Sequence, residues 1–542
     1  MSDEHHDKEK HENGRESSSV DGSGTSKIDL LHYYEERAGN IVVDPEEAKI
    51  EFGETVASSL KLSPDGTKVL WPQPTDSPHD PQNWSDRRKT LQLVIITLAA
   101  IVPDFDSGIG IASIFKLAEQ FSTTPNNINN VTSNWSIFLL GWGGLFAVFL
   151  IRRWGRLPIL FWSQVLAFGF LIGCTFAPNL RTFTVMRCLT AVFGTAPQVT
   201  GLYVVTDLYP FHLQARKLNV WTMGFILSPF MSPFLCGFIV ARTTWRWAYG
   251  LGSIYGAIVC IMITLFMEET MYDRHLNPVP EPGVGKGRIR YRFESLVGIT
   301  GWKMAKYRTP WKEAIWSPFS IVWRPHLLAI LVFEAMVFGF SIGINVTNAV
   351  FLGEPKPLGF QWSQLSIAGG YATPIVAVII GEIVGRYNND FIMNTSIKRN
   401  KGVFIAESRL WACYLAMPLY ICGFVTLGAA FQKHLNTGAL IMGWGIAELA
   451  VMINTVAVYA YCNDCFPKHK GEISALINLA RTLGGFSVAY FQVPWASKNG
   501  ALQTFGVEAA IVVGLFFLIV PALQIYGPRL RLSTYQQERF SA

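Results

Sequence analysis

Charged residues are scarce in this sequence: they make up 15% of its 542 residues, against about 25% in an ordinary soluble protein. Half of the residues are hydrophobic, and 37 are phenylalanine. A soluble core of this size would need more polar surface to cover it, and a chain this rich in aromatic residues is not disordered as a whole. The formal net charge is only +6 and the basic residues form no single block, so nucleic acid is not expected as a partner.

The motifs of nucleotide-driven and enzymatic chemistry are missing as well. No G-x-x-x-x-G-K-[ST] loop is present to cradle phosphates, and no G-x-S-x-G sits at a strand-to-helix turn. No helix carries histidines at metalloenzyme spacing, and Cys462 and Cys465 form a single C-x-x-C without the second ligand pair that a zinc site needs. We therefore predict no enzymatic activity, no cofactor and no bound metal, which leaves an ion gradient as the energy source.

Long apolar stretches dominate the chain after Lys89. Each is about 20 residues long, the length of a helix that crosses a hydrocarbon core about 30 Å thick. Several are interrupted by glycine, proline or a charge, which is typical of helices that line a cavity. Twelve such stretches are predicted as membrane spans, at about 91–113, 134–151, 157–177, 181–205, 218–240, 247–267, 327–351, 364–385, 409–431, 437–460, 473–495 and 503–525.

The spans are grouped as six, a long charged gap, and six. This pattern predicts an all-α membrane protein with two six-helix bundles that hold a substrate between them. The polar, Ser/Gly/His/Glu-rich start has too little apolar surface to offset the entropy of ordering, so it is predicted to be largely disordered. The expected organisation is a cytoplasmic tail at 1–88, a first bundle at 89–267, a cytoplasmic loop at 268–326, a second bundle at 327–525 and a cytoplasmic tail at 526–542.

Lysine and arginine in the short loops predict the orientation. One side collects Arg87 and Arg88, Arg152 and Arg153, Lys398 and Arg399, and Lys468 and Lys470, whereas the other side has only scattered basic residues. The basic side is therefore predicted to face the cytoplasm, together with both termini and the central loop. We expect a monomeric, multi-pass protein of the plasma membrane, with the lipid bilayer as its surroundings.

Several short motifs resemble those of one transporter family. Asp80 to Trp84 (DPQNW) is similar to an entry motif D-P-x-N-W, and Gly141 to Pro158 is similar to the signature G-x-L-x-D-R-x-G-R-[KR] between spans two and three. Gly155 and Arg156 match that signature, whereas Arg152 stands at its acidic position. On these residues the chain resembles a fungal member of the major facilitator superfamily, in the twelve-span drug:proton antiporter group.

Two further motifs add to this resemblance. Arg187 followed by Gly194 resembles R-x-x-x-G in span four, where the family's buried arginine is linked to proton transfer. In span five, residues 228–239 resemble the antiporter motif around G-P-x-x-G-G: Pro229, Pro233 and Gly237 match, while serine and cysteine replace two glycines. The small residues allow close helix approach. Longer strings, such as residues 471–496, resemble a branch that contains exporters of toxic compounds and an importer of organic cations or polyamines.

Acidic residues inside the spans are candidate coupling sites, because a charge in lipid is retained where it faces a cavity or a partner. Asp104 and Asp106 lie in span one, about 200° apart around the helix, so at most one is expected to face the central cavity. We favour Asp104, which follows Pro103, and place Asp106 nearer the outer mouth; the alternative is that both point outward. Glu334 in span seven and Glu448 in span ten are candidate proton carriers, with a purely structural role as the alternative.

Three further polar residues in the spans are candidates for a functional or a structural role. Arg187 needs an anionic or carbonyl partner and is a candidate for coupling, whereas Arg481 is predicted to be a structural clamp on the cytoplasmic side. Asn345 is a candidate hydrogen-bonding partner of a substrate, with interhelical bonding as the alternative.

Three functions are compatible with the sequence. The first is proton-coupled export of a small organic molecule, such as a drug, toxic compound or secondary metabolite. The second is proton-coupled uptake of an organic cation, polyamine or other nutrient, which the altered span-five motif keeps open. The third is a receptor or scaffold with a transporter fold and no flux, and carboxylates on several spans favour the first two.

Overall fold

The computed structural model of the chain is all-α apart from two short strands, and it describes residues 30–37, 39–276, 280, 285–353, 355 and 359–541. Twelve long helices carry the twelve predicted spans, which confirms the predicted fold class. In chain order they are α1 Asp86–Gln120, α2 Trp135–Trp154, α3 Arg156–Thr175, α4 Leu180–Leu208, α5 Phe211–Arg242, α6 Trp245–Phe266, α7 Pro325–Gly353, α8 Gln364–Arg399, α9 Trp411–Gln432, α10 Thr437–Cys465, α11 Lys470–Asn499 and α12 Ala501–Ser541.

Local sequence fixes where these helices begin and end. The side chain of Asn179 accepts a hydrogen bond from the backbone of Thr182 at 2.8 Å and so caps the start of α4. Gly155 separates α2 from α3 with φ of 99°, a conformation that favours glycine. The apolar sequence between such caps makes eleven of the twelve helices long and hydrophobic enough to cross a bilayer. The remaining helix, α11, is 30 residues long but is not among these eleven.

The helices form two bundles, α1–α6 and α7–α12, that meet along two helix pairs. In the first bundle α5 packs on α1, and it also packs on α8 of the second bundle. In the second bundle α11 packs on α7, and it also packs on α2 of the first bundle. The interface between the halves is therefore lined mainly by α2 with α11 and by α5 with α8.

The two halves touch at both ends of this interface. On the side that carries residues 30–84 and the segment after α6, here called the terminal side, Asn219 of α5 donates to the carbonyl of Glu382 of α8 at 2.8 Å. On the opposite side Gln364 of α8 donates to the carbonyl of Ala112 of α1 at 3.0 Å. Contact at both ends makes this an occluded arrangement of the two bundles.

Residues 30–84 are folded, and here the structure differs from the prediction of a largely disordered tail over 1–88. Short helices span Leu30–Glu36, Pro45–Phe52 and Glu54–Ser59, and strand β1 (Asn40–Val42) pairs antiparallel with strand β2 (Val403–Ile405) before α9. Their small core centres on the fully buried Trp71. Apolar residues follow the polar start, so this part has enough apolar surface to fold, whereas residues 1–29 lie outside the described part of the chain.

The segment between the two bundles contains three helices in the part that the structure describes. It contains helices Arg288–Val297, Ile299–Met304 and Trp311–Val322, where the sequence predicts a polar loop. Arg292 donates to the carbonyls of Ile263 and Thr264 at 2.9 and 2.7 Å. Both carbonyls lie in the last turn of α6, where basic side chains can hydrogen-bond the final carbonyls, so Arg292 caps α6 and ties the segment to the first bundle.

Candidate functional site

Asp104 of α1 lies between the two bundles. Its carboxylate accepts a hydrogen bond from the side-chain amide of Gln198 of α4 at 2.6 Å. The backbone carbonyl of Gln198 in turn accepts from the hydroxyl of Ser474 of α11 at 3.0 Å. The cation that acts on Asp104 is Arg481, also on α11. Asp104 is thus joined to the second half both by charge and through Gln198.

Arg481 occupies the centre of the molecule, not the terminal side as the sequence predicted. It is only 3% exposed, and its guanidinium lies 3.8 Å from the ring centre of Phe338 of α7 and 4.5 Å from that of Phe225 of α5. A cation over an aromatic face is stabilised by the ring quadrupole. Its Nε and Nη1 atoms have no hydrogen-bond partner among the described residues, so two buried donors remain for another group.

Glu334 of α7 faces the same arginine from the second half. It is fully buried, and Arg481 acts on it electrostatically. One carboxylate oxygen accepts from the hydroxyl of Thr455 at 2.7 Å, and the other accepts from the amide of Asn454 at 3.1 Å. We call the set Asp104, Gln198, Glu334, Asn454, Thr455 and Arg481 the central site. In this site the charge of one guanidinium acts on one carboxylate of each half.

Asp106 lies in the interior of the first bundle, not near the outer mouth as expected from the sequence. It is 2% exposed, and neither carboxylate oxygen has a hydrogen-bond partner among the described residues. The cation that acts on it is Arg187 of α4, which is 1% exposed and lies 5.7 Å from the ring centre of Tyr249 of α6. Arg187 also donates to the carbonyl of Thr132 at 3.4 Å. The two aspartates of α1 therefore face different arginines.

Glu448 and Glu508 are two more buried carboxylates in the second bundle. Both oxygens of Glu448 lie within 2.9 Å of the hydroxyl of Ser341 of α7. Both oxygens of Glu508 of α12 accept from the amide of Gln492 of α11, at 2.9 and 3.1 Å. Sequence reasoning missed Glu508, although a lone glutamate in a long apolar span is the signal that singled out Glu334. Neither glutamate belongs to the central site.

Asn345 makes an interhelical hydrogen bond at the kinked part of α5. Its amide donates to the carbonyl of Pro229 at 3.3 Å. In a regular helix that carbonyl would accept from the backbone nitrogen four residues on, but this residue is Pro233, which has no N–H. Asn345 of the second half therefore supplies the donor that the first half lacks. This is the interhelical alternative that the sequence left open.

The other small residues of the span-five motif lie where helices approach closely. A Cβ atom on Gly237 would lie 2.6 Å from the Cβ of Ala368 of α8. A Cβ atom on Gly108 of α1 would lie 2.9 Å from that of Ser232. A serine thus fits at position 232, where the motif has glycine, because the residue that faces it on α1 is itself a glycine.

The loop between α2 and α3 is held by acidic residues from elsewhere in the first bundle. Arg156 pairs with Asp207 of α4 at 2.9 Å. The backbone nitrogens of Arg156 and Leu157 donate to the two carboxylate oxygens of Glu269 at 3.2 and 3.1 Å. A Cβ atom on Gly155 would lie 2.6 Å from that carboxylate. Glycine is needed here for space as well as for its positive φ.

Arg152 links this loop to the second bundle. Its guanidinium forms an ion pair with Glu472 at the start of α11, which also accepts from the hydroxyl of Tyr203 at 3.3 Å. Glu472 is fully buried. The basic residue at the signature's acidic position therefore has an acidic partner on the other half, so a charge contact between the halves exists on the terminal side.

The cysteines and acidic clusters do not assemble a metal centre in the part of the chain that the structure describes. No three histidine, cysteine or carboxylate side chains in that part are grouped to hold an ion. Cys462 and Cys465 are buried and form no disulfide.

The arrangement can be compared with known proteins. The sequence model of the Major Facilitator Superfamily matches residues 96–489. Efflux pump radE of Floropilus chiversii is 23% identical over 470 residues, which cover 85% of this chain and 84% of that protein. MFS transporter fsa7 of Fusarium sp. (strain FN080326) is 26% identical over 426 residues, which cover 77% and 79%. These relatives are fungal, as the motifs indicated.

Solved structures agree at the level of the fold. The proton:xylose symporter XylE bound to 6-bromo-6-deoxy-D-glucose aligns with a TM-score of 0.54 and 14% identity, over 81% of this chain and 97% of that one. The human organic anion transporter MFSD10 (TETRAN) aligns with a TM-score of 0.52 and 14% identity, over 80% and 100%. With the family match across most of both bundles, the chain belongs to the Major Facilitator Superfamily and is a fungal-type membrane transporter, not an enzyme.

Proposed function

We propose that the protein exports a small organic molecule, such as a toxic compound, drug or secondary metabolite, in exchange for protons. The observation that carries the proposal is the central site, where the charge of Arg481 acts on both Asp104 of the first half and Glu334 of the second. The names of the fungal relatives, efflux pump radE and the trichosetin biosynthesis cluster MFS transporter, support the direction and the kind of substrate.

The charge balance of the central site suits an exchange of this kind. With both carboxylates ionised, Asp104, Glu334 and Arg481 sum to one negative charge. A buried uncompensated charge is costly, so the site favours taking up one proton or one cationic group. Proton uptake and substrate binding then compete for the same charge, which is what an antiporter requires.

The unpaired polar atoms around this charge are suited to an organic substrate. Besides the two nitrogen atoms of Arg481, the side-chain oxygens of Gln198 and Asn454 lack hydrogen-bond partners among the described residues. Phe225 and Phe338 supply aromatic faces beside them. Few polar groups set among apolar walls are typical of small-molecule sites. We assign the substrate to this position between the bundles.

We further propose that the terminal side faces the cytoplasm and that the protein works as a monomer in the plasma membrane. The excess of lysine and arginine in the short loops of that side supports the orientation. Tags inserted at the N-terminus, within 275–290 and at the C-terminus should all be protected in intact cells. An externally accessible tag at any of the three would reverse the orientation.

Transport in vesicles tests the function directly. The purified chain is reconstituted, a pH gradient is imposed, and candidate metabolites and drugs are followed by mass spectrometry. We expect accumulation that depends on the gradient and collapses with an uncoupler, and that is lost in Asp104→Asn and Glu334→Gln. If the flux is unchanged by both the gradient and the uncoupler, the mechanism is facilitated diffusion and not proton-coupled transport.

The direction of coupling separates export from uptake. Uptake of an organic cation or polyamine is the second candidate, because serine and cysteine stand at two glycine positions of the antiporter motif. In an exchanger, substrate and protons move in opposite directions, so substrate addition should acidify the compartment that the substrate leaves, because protons enter that compartment in exchange. Co-movement of substrate and protons would favour the importer.

A further inference from the structure

Residues 30–37 and 39–72 form a separate folded layer on the terminal side, here called the strap. Its hub is Trp71, which is fully buried and packs against the rings of Tyr33, Tyr34 and Phe52 at centroid distances of 5.5, 6.1 and 6.3 Å. The indole nitrogen donates to the carbonyl of Val42 at 2.7 Å. The strap therefore has a core of its own, and β1 is fastened to that core.

The strap is attached to the second half by backbone hydrogen bonds. In addition to the β1–β2 ladder, the backbone nitrogen of Val43 donates to the carbonyl of Gly402 at 3.1 Å, and that of Ala406 donates to the carbonyl of Gly39 at 2.8 Å. Phe404, at the centre of β2, is fully buried. A paired and covered strand is one continuous unit, so separating it would expose several backbone groups at once.

The strap continues through residues 73–85 into α1, with Lys61 hydrogen-bonded to Thr75 and Asp76 at 3.0 and 2.7 Å, but its described contacts with the rest of the first half are isolated ones. The backbone nitrogen of Phe211, at the start of α5, donates to the carbonyl of Trp71 at 2.8 Å. Glu35 pairs with His275, after α6, at 3.0 Å, and with Lys468 of the second half at 3.3 Å. The first amides of a helix have no partner within that helix. When the strap leaves, water can replace the carbonyl of Trp71 as the acceptor for the Phe211 amide at small cost in free energy.

One aromatic contact joins the two halves directly beneath the strap. The ring of Phe211 lies 5.0 Å from that of Phe404, edge to face. Transporters built from two bundles work by rocking one bundle against the other around a fixed site. When the terminal side opens, Phe211 and His275 must move away from Phe404 and Lys468, and the strap cannot keep its contacts with both halves.

We propose that the strap is a latch that stays on the second half and docks on the first-half surface made by Phe211 and His275 only while the terminal side is closed. Docking stabilises the closed arrangement, and release of these few contacts accompanies each opening. The strap thereby sets how often the central site is exposed on the terminal side, without touching that site.

Two crosslinks test which half carries the strap. Val42 and Val403 form a non-hydrogen-bonded pair of the ladder, whose Cα atoms lie about 4.5 Å apart in such pairs, within reach of a disulfide. Oxidation of Val42→Cys/Val403→Cys should leave transport unchanged. Bridging Glu35→Cys/His275→Cys with a short bis-methanethiosulfonate, which forms one disulfide with each thiol and releases a sulfinate from each end, should arrest transport, and reduction should restore it. The parent chain, treated identically, controls for its eight native cysteines.

A labelling assay tests the latch without reference to substrate or protons. Ser474→Cys places a thiol at a fully buried position between the halves on α11, where a maleimide enters only when the terminal side opens. Adding Glu35→Gln should raise the labelling rate about two- to fivefold, the range set by losing a partly exposed ion pair. Glu46→Gln, which breaks a pair with Lys49 inside the strap, is the matched control and should not change the rate. Labelling of the parent chain is subtracted.

The outcomes separate the alternatives. Arrest by the Val42–Val403 disulfide would mean that the strap moves relative to the second half and would overturn the assignment. Unimpaired transport with the Glu35–His275 bridge in place, or equal labelling of the Glu35→Gln and Glu46→Gln chains, would show that the strap is no latch. Because labelling needs neither a gradient nor a substrate, a failure of proton-coupled export would leave this result unaffected.

Discussion

Away from the helix ends and the central site, the two bundles hold their buried carboxylates in different ways. In the first bundle, Asp106 faces the guanidinium of Arg187 and has no other partner among the described residues. In the second bundle, Glu448 and Glu508 are bonded to a hydroxyl and an amide, at 2.8–3.1 Å. The first bundle thus stabilises its buried acid with the opposite charge of a guanidinium, and the second bundle stabilises its two acids with hydrogen bonds from neutral side chains.

This difference bears on how easily each acid changes its protonation state. A guanidinium only donates hydrogen bonds, so it satisfies a carboxylate but not the hydroxyl of a carboxylic acid. A serine hydroxyl or a side-chain amide both donates and accepts, so it satisfies either form after a small rotation. The second bundle can therefore hold neutral acids at little cost, whereas the first has an acid and a guanidinium buried together without a hydrogen bond between them. The central site combines both arrangements. Glu334 and Asp104 each accept hydrogen bonds from neutral side chains, and the charge of Arg481 acts on both.

The largest effect that this comparison predicts is on stability, at the opposite charges of Asp106 and Arg187 that are buried in the first bundle. Asp106→Asn leaves Arg187 buried without an anion, and removing one partner of a buried pair costs about 3–5 kcal/mol. We expect a strong loss of thermal stability and folded yield in detergent. Adding Arg187→Gln removes the stranded charge and should recover part of the loss. Equal instability of the single and double variants would mean that the pair is not what holds this region.

The second prediction concerns transport through the central site. Asp104→Asn keeps the size and the hydrogen bonding of the side chain but cannot ionise, so gradient-driven accumulation should fall at least about tenfold, an energetic change of about 1.4 kcal/mol or more. Arg481 retains Glu334 as a counter-charge, so folded yield should stay near that of the parent. Glu119→Gln, at an exposed position of the same helix, is the matched control. Normal accumulation in Asp104→Asn would mean that Glu334, not Asp104, carries the charge that couples transport to the proton gradient.

A third prediction concerns the bond that joins the halves at Asn345. Asn345→Ala leaves the carbonyl of Pro229 without a hydrogen-bond donor. A buried carbonyl without a donor lowers the free energy of unfolding by about 1–3 kcal/mol. Pro233→Ala restores the missing backbone donor within α5, so the double variant should regain most of that stability in a thermal unfolding assay. Additive losses in the double variant would show that the two residues are not coupled.

The smallest effect is expected at Glu508. Glu508→Gln replaces the acid by an amide of equal size that can still pair with Gln492, so we expect a change in stability within about 1 kcal/mol. Asp106→Asn is the same type of substitution in the other bundle, and the two unfolding temperatures should differ clearly. If Glu508→Gln proves as damaging as Asp106→Asn, the second bundle also depends on an ionised acid.

Much of the fold follows from the sequence because hydrophobic length is a local signal. The twelve spans and the six-plus-six grouping need only the composition of each stretch. The candidate acids are also visible locally, since an ionisable residue in an apolar span is conspicuous. The offset of two residues between Asp104 and Asp106 predicts that they point apart, and the structure gives them different arginines.

The partners of these residues were beyond the reach of the sequence. Arg481 lies near the middle of α11, but which helices surround it depends on how the bundles pack, so its position between Asp104 and Glu334 was misjudged. The strap was missed for a related reason: β1 and β2 are three residues each and lie far apart in the chain, and strands that short have no distinct pattern until they pair.

The distance between β1 and β2 along the chain has a consequence for biosynthesis. About 360 residues separate the two strands, so at about 5–20 residues per second the ribosome needs roughly 20–70 s to produce the second after the first. Throughout that time Ile41 and Val42, which the ladder later buries, are exposed as an unpaired edge, and such edges are prone to pair with the wrong chain. The N-terminal segment, made first, is therefore among the last parts to reach its native place.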